Sequence, residues 1–327
     1  MKAIQITKTG GPEVMAWTDV ADPIAGPGQV VVDVQASGVN FIDTYHRTGL
    51  YPLPMPSTLG LEGAGIITAI GEGVDRSDND PVAIGDLVAW SMGFGSYAEK
   101  VAISADSVVP VPDGVSAEVA AATMLQGMTA HYLVTDTHPL AAGEMCLIHA
   151  GAGGVGLILI QLAKSIGAEV FTTVGTEEKE VLALAAGADH VIRYRDVDFA
   201  DAIEAIAGPR PLAVVYDGVG QSVFRRSLDV LAPRGMMATF GNASGPVEPI
   251  SPLELAPSLF VTRPSLGEYI QTRGELLRRS GDLFVAIAAG ELDIRIGHMM
   301  PMSEAADAHR MLEGRATTGK VILTRSA

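Results

Sequence analysis

Two periodicities divide the chain. From Met1 to about residue 115, apolar positions come in short runs that alternate with polar ones or are broken by Gly and Pro. The runs are MKAIQI, EVMAWTDV, QVVVDVQASGV, AGIITAIGEGV, DLVAWSM and SYAEKVAISADSVVPVP. Val- and Ile-rich runs of this length predict strands, and a succession of them predicts a barrel-like domain. Within it, only IDTYHRTG reads as a turn or two of helix. Near Ser116 the period changes: SAEVAAATMLQGMTAHYLVTDT is Ala-rich, opens on a Ser cap and has helical spacing. Strand-like and helix-like segments then alternate. MCLIHA, EVFTTV, HVIRY and LAVVYDGV read as strands. GVGLILIQLAKSIGA, EEKEVLALAAGA, FADAIEAIAG and QSVFRRSLDVLAPRG read as helices, and GMMATFG and LFVTRPS close the series. Such alternation predicts a parallel sheet with helices on both faces. From about residue 267 come a helix to about 290, a Met-rich stretch, a helix SEAADAHRMLEG and a strand GKVILT. The expected organisation is a β-rich domain over 1–122, a parallel-sheet domain over 123–265, and a tail, 266–327, that returns to the first. The DRSDNDP run at 75–81 reads as a solvated loop, and no internal repeat or low-complexity segment is apparent.

Composition narrows the function classes. The 327 residues are 48% hydrophobic, enough for a sizeable core in each of two domains. The net charge of −16 argues against nucleic acid and against an anionic membrane surface, both of which need Lys and Arg. One cysteine, Cys146, rules out an internal disulfide framework or a Cys-rich zinc knuckle, and it reads as a buried structural thiol. The N-terminus lacks the apolar run of a signal peptide, and no stretch is long and apolar enough to span a bilayer. A cytoplasmic protein is expected.

The strongest motif is HAGAGGVG at 149–156, with Gly151, Gly153 and Gly156 spaced G-x-G-x-x-G between a strand and a helix. Gly151 would permit a tight turn. Gly153 would let the backbone approach a pyrophosphate at the positive helix end, and Gly156 would let helix and strand pack closely. The flanking βαβ pattern raises this from a Gly-rich turn to a dinucleotide site. An NAD site places an acid near the end of the second strand. Here that strand runs into VGTEEK, with Gly175 near the acid's place, Lys179 following, and Arg193 and Tyr194 ending the next strand. These favour NADPH. Glu177 and Glu178 oppose it, unless they serve the helix dipole behind a Thr176 cap.

NFIDTYHRTGLYP (40–52), LGLEGAG (59–65), HAGAGGVGLILIQLAK (149–164), VGTEEK, VIRYR, VVYDGVG, FGNASG, VTRPS and RATTGK (315–320) run nearly end to end. Through them the chain resembles the medium-chain dehydrogenase/reductase superfamily, and within it the zinc-independent NADPH:quinone oxidoreductases, the zeta-crystallin branch. The resemblance implies an α/β fold: a GroES-like β-barrel catalytic domain plus a Rossmann doubly wound parallel-sheet domain. Zinc-dependent relatives carry a Cys ligand where this chain has Asn40 and a His ligand where it has Leu61. No metal is expected, because a catalytic zinc needs three good donors. His46 then reads as a surface or packing residue.

By the same resemblance, Asn40, Asp43 and Tyr45 lie by the nicotinamide, with Tyr51 at the pocket mouth. The alternative for Asp43 and Arg47 is a helix cap or salt bridge, and for Tyr45 it is packing. Phe41, Thr129, Gly151, Gly153, Gly154, Val155 and Gly156 are expected to meet the cofactor. Val219 is expected to meet the cofactor too; Phe240, Gly241, Asn242, Val261 and Arg263 would line its nicotinamide side, Gly175 would leave room for its 2′-phosphate, and Lys179, Tyr194 and Arg315 would hold that phosphate. Gly218 departs from relatives that carry Ser. The implied activity is hydride transfer from NADPH to a small-molecule quinone. An electron-poor acceptor needs alignment and water exclusion more than a Lewis acid, and a Tyr hydroxyl, an Asn amide or a water would meet charge on its oxygen. The alternatives are reduction of an enone or alkenal C=C bond, and a non-catalytic NADPH-binding protein. A homodimer is expected, with LFVT as the candidate edge.

Overall fold

A computed structural model describes residues 1–74 and 82–325; the DRSDNDP run lies outside the described residues. The strands are β1 (Lys2–Ile6), β2 (Ala16–Asp19), β3 (Gln29–Val39), β4 (Ser57–Thr58), β5 (Glu62–Ile70), β6 (Leu87–Ser91), β7 (Lys100–Ser104) and β8 (Val108–Pro110). They continue as β9 (Met145–Ile148), β10 (Glu169–Val174), β11 (His190–Arg193), β12 (Leu212–Asp217), β13 (Leu231–Thr239), β14 (Phe260–Thr262), β15 (Ile296–Pro301) and β16 (Lys320–Thr324). The helices are α1 (Phe41–Thr48), α2 (Ala117–Tyr132), α3 (Gly154–Ile166), α4 (Glu177–Ala185), α5 (Phe199–Ala207), α6 (Phe224–Asp229), α7 (Leu266–Tyr269), α8 (Arg273–Ala288) and α9 (Ala305–Glu313). Two compact units result, one of Met1–Met128 with Ile270–Ala327, the other of Thr129–Tyr269.

In the first unit β3 is the hub. It pairs antiparallel with β5, β7 and β16, within a sheet ordered β15-β16-β3-β5-β6-β8. A smaller sheet runs β2-β1-β4. Val30, Val32, Val34, Ile67, Val88, Trp90, Val321 and Leu323 share one buried core. In β16, Val321, Ile322 and Leu323 are all buried, each contributing about 1.5–3 kcal/mol. That burial anchors the strand that delivers Lys320 to the interior.

The second unit holds a parallel sheet ordered β11-β10-β9-β12-β13-β14. Counted from β9, this is the 3-2-1-4-5-6 order of a doubly wound dinucleotide-binding sheet. Leu147, Phe171, Leu212, Val215 and Met237 pack its core with Phe199 and Phe224.

Three elements differ from the sequence expectation. The helix expected over QSVFRRSLDVLAPRG is only α6, and Leu231 already belongs to β13, paired with Leu212. Pro233 has no N–H to continue a helix. The single helix from about 267 is two, separated where the Thr272 side chain accepts from the Glu275 N–H and starts α8. The Met-rich stretch is β15, parallel to β16.

Candidate active site

Asn40 is the N-cap of α1, and its backbone N–H donates to Asp43 Oδ2 at 2.9 Å. Gly49, in the left-handed region at φ 87°, ends it. The chain then folds back, so that the Tyr51 N–H donates to the Tyr45 carbonyl at 3.1 Å. The two rings meet edge-on with centroids 5.4 Å apart. The resemblance pairs Tyr45 and Tyr51 in one site, and the turn after α1 brings them together. His46 packs between the Tyr51 and Phe94 rings, and burial lowers its pKa.

Asn40 is 3% exposed and fully engaged. Its Oδ1 accepts from Lys320 Nζ at 2.8 Å and from Gln126 Nε2 at 3.2 Å. Its Nδ2 donates to Glu62 Oε2 at 2.8 Å and to the Gly38 carbonyl at 3.4 Å. Of the groups offered for meeting charge on an acceptor oxygen, this amide is the one whose Nδ2 already donates to two protein acceptors. Lys320 Nζ forms an ion pair with Glu62 Oε2, with the two side chains 1% and 0% exposed, and the Leu125 N–H donates to Glu62 Oε1. Burial lowers the Lys320 pKa, against the pull of Glu62 and Asp43.

Asp43 is fully buried and faces the interior. Its Oδ2 also accepts from the Tyr97 hydroxyl at 2.9 Å, and Oδ1 has no partner among the described residues. Desolvation outweighs these hydrogen bonds and raises its pKa to about 7. The bond to the Asn40 N–H is that of a helix cap, the alternative offered for this residue. Behind Tyr97 stands His309, with Nε2 3.2 Å from the hydroxyl and Nδ1 3.0 Å from Arg47 Nη1. A guanidinium only donates, so Nδ1 accepts and Nε2 carries the proton. The hydrogen bonds therefore run one way, from Arg47 through His309 and Tyr97 to Asp43. Arg47 is anchored on Glu313 Oε1 at 2.6 Å, the salt bridge offered as its alternative reading.

In the second unit, the glycine-rich turn joins β9 to α3. The left-handed residue is Ala150, at φ 57°, rather than Gly151. A Cβ at Gly151 would strike the Thr172 side chain, so this glycine serves close approach to β10. A Cβ at Gly156 would lie 2.8 Å from the Gly151 Cα, so Gly156 lets the helix pack against the turn. Gly153, the N-cap of α3, has only the Ala150 carbonyl near its missing Cβ, at 3.1 Å. That open side leaves room for a ligand at the positive end of a 13-residue helix carrying Gly154, Val155 and Gly156. His149 holds the turn from below: Ser227 donates to the Val223 carbonyl, so it accepts from His149 Nε2, and His149 Nδ1 accepts from Thr173.

At the end of β10, a Cβ on Gly175 would lie 2.8 Å from the Tyr194 hydroxyl and 3.5 Å from Arg195 Nε. Gly175, Tyr194 and Arg195 thus form one cluster. Thr176 caps α4 by accepting from the Lys179 N–H, with Glu177 and Glu178 exposed in the first turn. Arg193 faces Glu180 and Asp196 instead, at 3.5 and 2.9 Å. Asp217 gathers the remaining loops. Its carboxylate accepts from the Val219 and Gly220 N–H groups and from Thr239, and its carbonyl accepts from the Phe240 N–H. Burial raises its pKa to about 6. Arg263 donates to the Thr239 carbonyl at 3.0 Å and, with the Asn242 amide in the orientation that satisfies both its ends, to the amide oxygen at 3.2 Å. Val219, Phe240, Gly241, Asn242 and Arg263 are thereby drawn together, with Val261 in β14 beside β13. A Cβ at Gly218 would sit 3.1 Å from the Phe240 ring, which accounts for the small residue there.

Of the other expected residues, Thr129 is buried in the second unit. Phe41 begins α1 and Arg315 follows α9, both in the first unit. Glu62, Lys320, Tyr97, His309, Gln126, Asp217 and Arg195 were not singled out from the sequence. The available signals were a carboxylate inside the Gly-rich LGLEGAG and a lysine heading the apolar KVILT. Among the described residues, no group of three or more His, Cys, Asp or Glu side chains stands where it would hold a metal ion.

Residues 26–113 match the family described as alcohol dehydrogenase GroES-like domain, and residues 154–281 match the family described as zinc-binding dehydrogenase. The chain is 43% identical to a quinone oxidoreductase of Pseudomonas aeruginosa, over 98% of this chain and 99% of that one. It superimposes on the Escherichia coli quinone oxidoreductase complexed with NADPH with a TM-score of 0.95 at 42% identity, covering 99% of this chain and 100% of that chain. A 2-haloacrylate reductase of Burkholderia is 39% identical over 99% of both. The chain belongs to the quinone oxidoreductase family of the medium-chain dehydrogenase/reductase superfamily.

Proposed function

We propose that this protein is an NADPH-dependent, zinc-independent quinone reductase. The observation that supports it best is the whole-length likeness to quinone oxidoreductases, one of them complexed with NADPH, together with a turn at α3 whose open side fits a pyrophosphate. NADPH, when bound, supplies a hydride from C4 of its nicotinamide. Gly153 and the α3 N-terminus hold the pyrophosphate. Gly175 leaves space for the 2′-phosphate, with Tyr194, Lys179 and Arg315 as its partners. Val219, Phe240, Gly241, Asn242, Val261 and Arg263 line the nicotinamide side. Tyr45 and Tyr51 flank the acceptor, and a tyrosine hydroxyl meets the charge that develops on its oxygen. Asn40 and Asp43 act from behind, by fixing the start of α1.

A second reading, reduction of an activated C=C bond, is favoured by the likeness to the 2-haloacrylate reductase. The high negative charge speaks against nucleic acid as a partner. We place the enzyme in the cytoplasm as a homodimer, which light scattering on the purified protein tests. Steady-state oxidation of NADPH against a panel of quinones, enones and alcohols tests the activity. Quinones are expected to give the highest kcat/KM, and a preference for alkenes would establish the second reading instead.

A further inference from the structure

The Lys320–Glu62 pair is out of place in a sheet core. Taking two charges from water costs more than most ion pairs return, unless hydrogen bonds meet the remaining lone pairs and protons. Here several are met: both Glu62 oxygens accept, from Asn40 and Lys320 on one side and the Leu125 N–H on the other, and Lys320 donates to Glu62 and Asn40. Space has been made for them as well. A Cβ at Gly38 would overlap the Glu62 carboxylate and lie 2.7 Å from Lys320 Cε, so β3 carries glycine there although its backbone is not left-handed. β16 places Lys320 on this spot by pairing Ile322 opposite Gly38. The residue joining the pair to the expected active site is Asn40, which starts the helix bearing Tyr45.

We propose that Lys320 and Glu62 are positioning residues of the reductase site. The ammonium fixes the oxygen end of the Asn40 amide and the carboxylate fixes its nitrogen end, and together they set the first turn of α1 and hence the placement of Tyr45. The inference rests on the quinone reductase reading for its activity readout. The groups facing the pair are Asn40 ahead of α1, Asp43 in its first turn and Tyr97, while Gln126 of α2 holds the Asn40 amide oxygen from the other side.

Removing one charge leaves the other buried and unpaired, and each orphan can be relieved by titration, in opposite directions. In Lys320→Met the lone Glu62 carboxylate is relieved by taking up a proton, as buried carboxylates do up to about pH 8–9. In Glu62→Gln the lone ammonium is relieved by losing one, as buried lysines do down to about pH 5–6. The experiment is the pH profile of kcat with a quinone, for wild type, both single variants and the double variant, alongside NADPH binding by fluorescence. Lys320→Met should lose about ten-fold to a hundred-fold in kcat at pH 8, the cost of a misplaced group, and recover toward acid. Glu62→Gln should show the mirror image, recovering toward alkali. The double variant should show neither step, and NADPH affinity should stay within about two-fold throughout. If one single variant fails to fold, the direction of the other decides. Profiles parallel to wild type, whatever the loss of stability, would overturn the proposal. A wild type that reduces no quinone would overturn the functional reading instead; the profile is then run with the acceptor that does oxidise NADPH.

Discussion

The Tyr97 hydroxyl donates to Asp43 at 2.9 Å inside the first unit, and the direction of that bond is fixed by His309 and Arg47 behind it. Asp43 is thus a buried carboxylate with its donors on one oxygen only. Its pKa lies at about 7, against 3.8 ordinarily, so between these values the folded protein holds a proton that the unfolded chain has released. Stability from this group therefore falls as pH rises from about 4 to 7. Asp43→Asn should abolish that trend. Its stability relative to wild type should improve with each pH unit across the window, by at most about 1.4 kcal/mol per unit. Chemical denaturation at pH 5, 6 and 7 checks this, and a constant difference would mean that Asp43 is ionised throughout.

Two buried histidines act in the opposite sense. Burial lowers His149 and His309 from 6.5 to about 3. Their contribution is complete above pH 6.5 and is lost as pH falls toward 3, because unfolding lets each take up a proton. His309→Gln should be less stable than wild type at pH 7, where it leaves Tyr97 and Arg47 without their partner. The gap should narrow at pH 5; an equal gap at both values would show that His309 titrates alike folded and unfolded, and a wider gap at pH 5 would show it charged in the fold.

Tyr45→Phe should slow quinone reduction about ten-fold to a thousand-fold, the range for one donor to a developing oxyanion, while NADPH binding stays nearly unchanged. Single-turnover rates with a fixed quinone check it. An unchanged rate would reduce Tyr45 to packing against Tyr51.

Cofactor preference should reside in the groups around Gly175. Arg195 enters this set because its Nε lies 3.5 Å from where a Gly175 Cβ would be, whereas Arg193 is occupied by Glu180 and Asp196. Lys179→Ala and Arg195→Ala should each raise KM for NADPH about ten-fold, as expected for one charge-assisted hydrogen bond, and leave KM for NADH unchanged. Equal effects on both cofactors would contradict the assignment and return attention to Glu177 and Glu178.

The backbone was legible where a pattern is local. QVVVDVQASGV and EVFTTV coincide with β3 and β10, and the turn after MCLIHA starts α3 where its glycines indicate. The pattern failed where tertiary pairing overrides it. LAPRG joins a strand because Leu231 finds Leu212, and the Met-rich IGHMMP becomes a strand only beside β16. The buried polar cluster was half legible. Asn40 and Asp43 stand out in one short segment, but Glu62, Tyr97, His309 and Lys320 come from four others. A lysine heading a strand reads as solvent-facing until the sheet register turns it inward.

Quinone reduction by NADPH without a metal is the activity expected of this protein. The decisive measurement is kcat/KM for NADPH oxidation by a simple 1,4-quinone after dialysis against a strong chelator, with zinc determined on the same sample. Asn40 is committed to Lys320 and Glu62, and Leu61 offers no donor. Undiminished quinone reduction with far less than one zinc per chain is the predicted result. About one zinc per chain, whose removal abolishes activity and whose return restores it, would contradict the account.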